Sequence, residues 1–260
     1  MKTLLLSRAA GALLFFGLLT WACGDDGVDP DAPGRLTLRF DHRYGADALR
    51  LNEDLLAPAG DTISVESFKY YVSNVRLRNR ATGETFIEPD SYHLITFREG
   101  EPIAVEIEGV TPGTYTELAF AIGVDNGSNT SIDRTGDLDP TNDMAWNWRT
   151  GYKFLLLEGR YRSDTTRQGT FVYHIGSDAN YRVLTYNLND PQLSGLPPAV
   201  TVEAARNTAV QVRTDVRDVF EGFRLDALNF AMFDPVLSKQ VADNYAEGTF
   251  TLVGVDAPTD

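Results

Sequence analysis

TISVESFKYYVSNVRLRN, residues 62–79, is the stretch whose reading decides the fold. It is rich in β-branched and aromatic residues and holds neither Gly nor Pro, so it reads as strand. The chain around it has the same character. LTLRFDH (36–42) precedes it. YHLITF (92–97), IAVEIEGV (103–110), YTELAFAIGV (115–124), TFVYHIG (170–176), YRVLTYNL (181–188), AVTVEA (199–204) and TAVQVRTDV (208–216) follow. Apolar and polar residues alternate in these runs, and Gly, Pro, Asn and Asp separate them. RATGET (80–85) and VTPGTY (110–115) are turn sequences. Helical spacing is confined to FDPVLSKQVADNYAEG (233–248), where Asp234 is placed to cap and Pro235 to open a helix. No fixed-period repeat is present. The expected fold is all-β: an antiparallel β-sandwich or flattened barrel with one or two short helices.

Residues 1–22 read as an export signal, with Lys2 and Arg8 ahead of the apolar AAGALLFFGLLTWA. Cys23 follows at once and is the only cysteine, the position at which a bacterial lipoprotein is cleaved and acylated. Residues 24–34, GDDGVDPDAPG, have the composition of a flexible acidic tether. The expected organisation is signal peptide 1–22, lipidated Cys23 with its tether 23–34, and one β domain over 35–256. The protein is then exported and anchored to a membrane through lipid, facing the periplasm or the cell exterior. A single, acylated cysteine leaves no disulfide and no thiolate ligand. The net charge of −14 repels nucleic acid and tolerates cationic partners and divalent metals.

Chemistry-bearing residues gather around the segment DPTNDMAWNWRTGYKFLLLEG (139–159). Read in twos, Met144, Trp146, Trp148, Tyr152, Phe154 and Leu156 share one parity. On a strand the two indoles stand about 7 Å apart on one face, turned inward. His42 is in phase with Leu36, Leu38 and Phe40, so it sits on the apolar face at a strand mouth. It is suited to a local hydrogen bond or to a metal. His174 is out of phase with Phe171, Tyr173 and Ile175, and His93 is in phase with Ile95 and Phe97. No His-x-His or His-x-x-x-His pair exists, so a metal site must be assembled across strands. The long polar loop 125–143 carries Asp125, Asp133, Asp137 and Asp139, oxygen donors of the kind that hold calcium, without EF-hand spacing. Gly-x-Ser-x-Gly and the phosphate-binding Gly-x-x-x-x-Gly-Lys are both absent. No enzymatic activity is expected.

Several stretches together resemble the MbnP-like family of exported copper-binding proteins, named for the methanobactin-associated periplasmic protein. They are RFDHRYGADAL (39–49), SFKYYVSNVRL (67–77), GTYTELAFAIGVDN (113–126), GDLDPTNDMAWNWRTGYKFLLLEG (136–159), FVYHIG (171–176) and VADNY (241–245). They occur in family order, and the central segment is the most specific of them. The resemblance implies a β-sandwich-like domain that binds one copper through histidine and a tryptophan oxidised to kynurenine. A partner di-haem oxidase related to cytochrome c peroxidases is implied as the oxidant. Carried onto this chain, the matched positions are His42, Trp146, Trp148 and His174, with His93 outside the motifs. Intact indole is a poor ligand because its nitrogen acts only as an N–H donor, whereas kynurenine exposes an amine and a ketone. Imidazole suits copper. The expected function is an envelope copper-binding lipoprotein for uptake, storage or delivery. The competing expectation is a non-catalytic surface interaction module, stabilised by calcium.

Overall fold

The computed structural model describes residues 29–131, 133–147, 151–232 and 235–259. The signal, Cys23, the first part of the tether, Trp148 and the helix cap expected at Asp234 lie outside them. Strands of five or more residues are β1 (Gly34–Tyr44), β2 (Thr62–Arg78), β3 (Tyr92–Thr96), β4 (Ile103–Val110), β5 (Glu117–Ile122), β6 (Gly151–Arg162), β7 (Gly169–Gly176), β8 (Arg182–Asn187), β9 (Asn207–Asp215) and β10 (Phe250–Val255). The helix expected near the C-terminus is α1 (Pro235–Asn244), which runs on into a wider turn over Tyr245–Thr249.

Two sheets face each other. The smaller has the order β4–β1–β9–β10 and the larger β8–β5–β2–β6–β7. The opening stretch is the spine of the larger sheet. Tyr70 pairs with both Leu155 and Ile95, and Val72 with both Ile122 and His93. So β6 and β5 share one edge of β2 end to end, and β3 lies on the other edge. The register of β2 slips between Ser73 and Arg76, where Asn74 adopts φ 53°, a left-handed conformation that Asn tolerates.

The pairing departs from a purely antiparallel expectation at two places, the short one being Val172 and Tyr173 of β7 beside Phe230 and Ala231. β1 and β9 run parallel, with Leu38 opposite Val210 and His42 opposite Thr214. Parallel neighbours need a crossover connection, and all the long strands of the larger sheet lie between these two strands in sequence. β10 was also not evident from sequence, because FTLVGV follows directly on the helical pattern.

Alternation divides the side chains of the larger sheet. Phe68, Tyr70 and Val72 of β2, Leu155 and Leu157 of β6, and Phe171, Tyr173 and Ile175 of β7 face the smaller sheet and join Leu36, Leu38 and Phe40 in the main core. Each such fully buried side chain contributes roughly 1.5–3 kcal/mol relative to exposure. The opposite face carries a second cluster of Tyr71, Val124, Leu138, Met144, Tyr152, Phe154 and Leu156. A sheet face this apolar must be covered. Its cover is the segment 125–147, so the long polar loop is a packed outer layer.

Candidate metal centre

The outer layer is held down by its own polar residues. Asp125 caps the turn Asn126–Asn129, accepting from the Gly127 N–H at 3.0 Å, and also accepts from Asn74 Nδ2 at 3.0 Å and the Tyr92 hydroxyl at 2.5 Å. Asp137 accepts from the Leu94 N–H at 2.8 Å, and its carbonyl takes the Tyr71 hydroxyl at 2.8 Å. Tyr152 donates to the Leu138 carbonyl at 2.7 Å. Asp139 accepts from the Thr141 N–H and hydroxyl, and Asp133 from the Ser131 hydroxyl. The four aspartates raised as a calcium loop are thus each engaged in shaping the loop. Among the described residues no group of three or more His, Cys, Asp or Glu converges as a metal site.

The tryptophan segment is a hairpin and not one continuous strand. Ala145–Asn147 pairs back on β6, Ala145 opposite Tyr152 and Asn147 opposite Gly151. Gly151 has φ 69°, and a Cβ there would strike Asn129, whose side-chain oxygen accepts the Tyr152 N–H at 2.8 Å. The hairpin lays the half-buried Trp146 on the outer face of β7. A Cβ on Gly176 would stand 2.5 Å from Cζ3 of Trp146 and 2.5 Å from the Tyr152 carbonyl. Gly176 is therefore the seat of the indole. Gly176→Val is expected to cost about 1–3 kcal/mol by overpacking and to shift tryptophan emission to the red as the ring lifts off. Emission and stability equal to wild type would contradict this seating.

His174 lies two residues before that seat on the same face, about 7 Å along the strand. Its Nε2 is 2.5 Å from Oε1 of Glu158, while its Nδ1 is buried without a hydrogen-bond partner. The ring is only 12% exposed. Burial lowers its pKa, against the opposing hydrogen bond to the Glu158 carboxylate, and favours the neutral imidazole. An Nε2–H directed at a carboxylate, with the other nitrogen bare, is the arrangement in which a histidine is oriented for a metal. Two lysines stand close by. Lys153 donates to the Asp143 carbonyl at 2.7 Å, and Lys69 reaches the Asn142 carbonyl at 3.4 Å.

His42 is elsewhere. It projects from β1 into the main core, 5% exposed, with its ring centre 5.0 Å from Phe97 and 5.8 Å from both Phe68 and Tyr70. Its Nε2 is 3.1 Å from the Tyr70 hydroxyl. Burial pushes its pKa down to about 4, with a Phe40 backbone hydrogen bond acting the other way. His174 pairs with Leu156, and Leu156 with Lys69, the neighbour of Phe68. Two strand spacings, about 10 Å, and the thickness of the sheet thus separate the two imidazoles. The structure brings His174 and Trp146 together and does not bring His42 to them. His93, on β3, is engaged by both oxygens of Glu88 at 3.0 Å.

Glu158 and Gly176 were not recognisable from sequence as site residues. Glu158 faces His174 only through the pairing of β6 with β7, although its i+2 spacing from Leu156 does put it on the outer face.

Fold and site define a two-sheet β protein with a loop-covered histidine–tryptophan pair on the outer face of its larger sheet. A family model described as MbnP matches residues 33–234, and the chain belongs to the MbnP family. Among solved structures, MbnP from Methylosinus trichosporium is similar with a TM-score of 0.54 and 17% identity, over 78% of this chain and 81% of that one. A putative cell adhesion protein from Bacteroides ovatus also matches, at TM-score 0.24 and 11% identity, over 71% of this chain and 40% of that one. No curated protein matches.

Proposed function

We propose that this protein is an exported, lipid-anchored copper-binding member of its family, acting in copper uptake, storage or delivery. Membership in a copper-associated family supports the metal, and the signal-like segment 1–22 followed by Cys23 supports the address. The observation that carries the site is the bare, buried Nδ1 of His174 beside the seat of Trp146, with Glu158 on the other nitrogen.

The donor set is one imidazole nitrogen together with the amine or ketone of an oxidised tryptophan. Trp146 is the candidate for that oxidation among the described residues, and Trp148 is the other. Conversion to kynurenine opens the indole ring and removes one ring carbon. It requires an external oxidant, for which a di-haem oxidase of the cytochrome c peroxidase type is proposed as the partner. Lys69 and Lys153 stand at this rim together with the carboxylates of Glu158 and Asp143, so the rim carries charges of both signs.

The test uses protein purified from its native host. It is expected to carry about one copper per chain. The peptide spanning 136–159 should show the mass change of one carbon lost and one oxygen gained on a tryptophan. A protein that takes up no copper and has both indoles unmodified would overturn the proposal.

A further inference from the structure

β8 and β10 are end strands of the larger and smaller sheets, and residues of both line one groove. Between them is a groove of about 340 Å³ lined by Val183, Thr185, Asp190, Glu247, Phe250 and Leu252 among others. The Tyr186 hydroxyl donates across it to the Phe250 carbonyl at 2.8 Å.

The edge of β8 is open. Leu188 donates its N–H to the Thr116 carbonyl at 2.9 Å, which fixes 188, 186, 184 and 182 as the residues bonded to β5. The N–H and C=O of Val183 and Thr185 therefore point away from β5, into the open side. Exposed edges are ordinarily blunted by charge. β4, at the far edge of the smaller sheet, follows that rule with exposed Glu106 and Glu108. β10 has no charged residue at all, and the only one on β8, Arg182, is held by Asp243 at 2.8 Å. Val183 and Val253 are 58% and 49% exposed beside the groove.

We propose that the β8 edge takes up an extended, Lys- or Arg-bearing segment of a partner protein as an added strand, with main-chain bonds to Val183 and Thr185. Charge selects the occupant. The groove is lined by the carboxylates of Asp190 and Glu247 and by no Lys, Arg or His. A second copy of this chain brings the same net −14, and the tether GDDGVDPDAPG is itself acidic, so both are repelled. This inference is independent of copper.

The test measures fluorescence anisotropy of a labelled Val-Lys-Val-Lys-Val-Lys peptide with the full protein at low salt. The peptide is expected to bind, and its Val-Glu-Val-Glu-Val-Glu counterpart is not. Thr185→Pro removes an N–H that makes no bond within the sheet, so it should weaken binding about tenfold or more without moving the melting temperature. Glu247→Lys, at an exposed position, should weaken it as well, and it carries the test alone if the proline variant proves unstable. No binding of the lysine peptide, equal binding of the glutamate peptide, or affinity unchanged in the variants would each overturn the proposal. A concentration-dependent dimer lost in Thr185→Pro would also overturn it, because it assigns the edge to a second copy.

Discussion

His174→Ala is expected to abolish stoichiometric copper binding, while His42→Phe retains it. The two histidines look equivalent in the family motifs, yet His42 projects from the smaller sheet into the core and His174 stands on the outer face of the larger sheet. His174 offers a buried nitrogen with no competing partner, beside the Trp146 seat. His42 offers a nitrogen already facing the Tyr70 hydroxyl, within a ring cage of Phe68, Tyr70 and Phe97. Phenylalanine at 42 keeps the apolar packing and takes the imidazole partner from the Tyr70 hydroxyl, a cost of about 1–3 kcal/mol that should not reach the outer face. Glu158→Leu should fall between the two, weakening copper by about 10- to 100-fold because His174 loses its orienting carboxylate. Copper stoichiometry and affinity on the three variants, each loaded and modified like wild type, decide the matter. Loss of copper in His42→Phe with the fold intact would place the metal on the inner face and refute the assignment.

Acid should destabilise the protein through the same His42. Its folded pKa lies near 4, against 6.5 for the free side chain. Below about pH 6.5 the unfolded chain takes up a proton that the folded core refuses until about pH 4. Stability is therefore whole above that window and falls as the pH drops through it. At about 1.4 kcal/mol per pH unit, the total loss is about 3 kcal/mol. His174 titrates in the same direction, since burial lowers its pKa too. Urea unfolding at pH 7 and pH 4 should show His42→Phe losing about 3 kcal/mol less than wild type between the two conditions. Carboxylate protonation is common to both proteins and cancels in the comparison. Identical pH dependence would mean that the His42 ring is hydrated and not sealed in the core.

Much of the fold was legible because a strand writes its burial into the sequence at period two. Residues 62–79 announced the spine of the larger sheet, and the parity of His42 with Phe40 placed it in the core correctly. The same rule set His174 out of phase with Tyr173, so the opposite orientation of the two imidazoles was already present in the pattern. It could not be read as a separation, because parity gives the face of a strand and not the partner across from it. Gly151 shows the limit from the other side. Its positive φ turned an apparent continuous strand into a hairpin, and parity counted through it could not locate the indoles.

The sequence by itself determined that this is an all-β protein, that its glycine- and tryptophan-bearing motifs belong to the MbnP family, and which side of its own strand each histidine takes. These are local properties, set by alternation and by backbone conformations that only certain residues accept. The tertiary structure alone decided that loop 125–147 forms a second layer, that Gly176 seats Trp146, that Glu158 holds His174, and that His42 is remote from both. Those facts depend on which strands lie side by side. That choice is made by the summed burial of two sheet faces and by long-range pairings, which no short window of sequence contains.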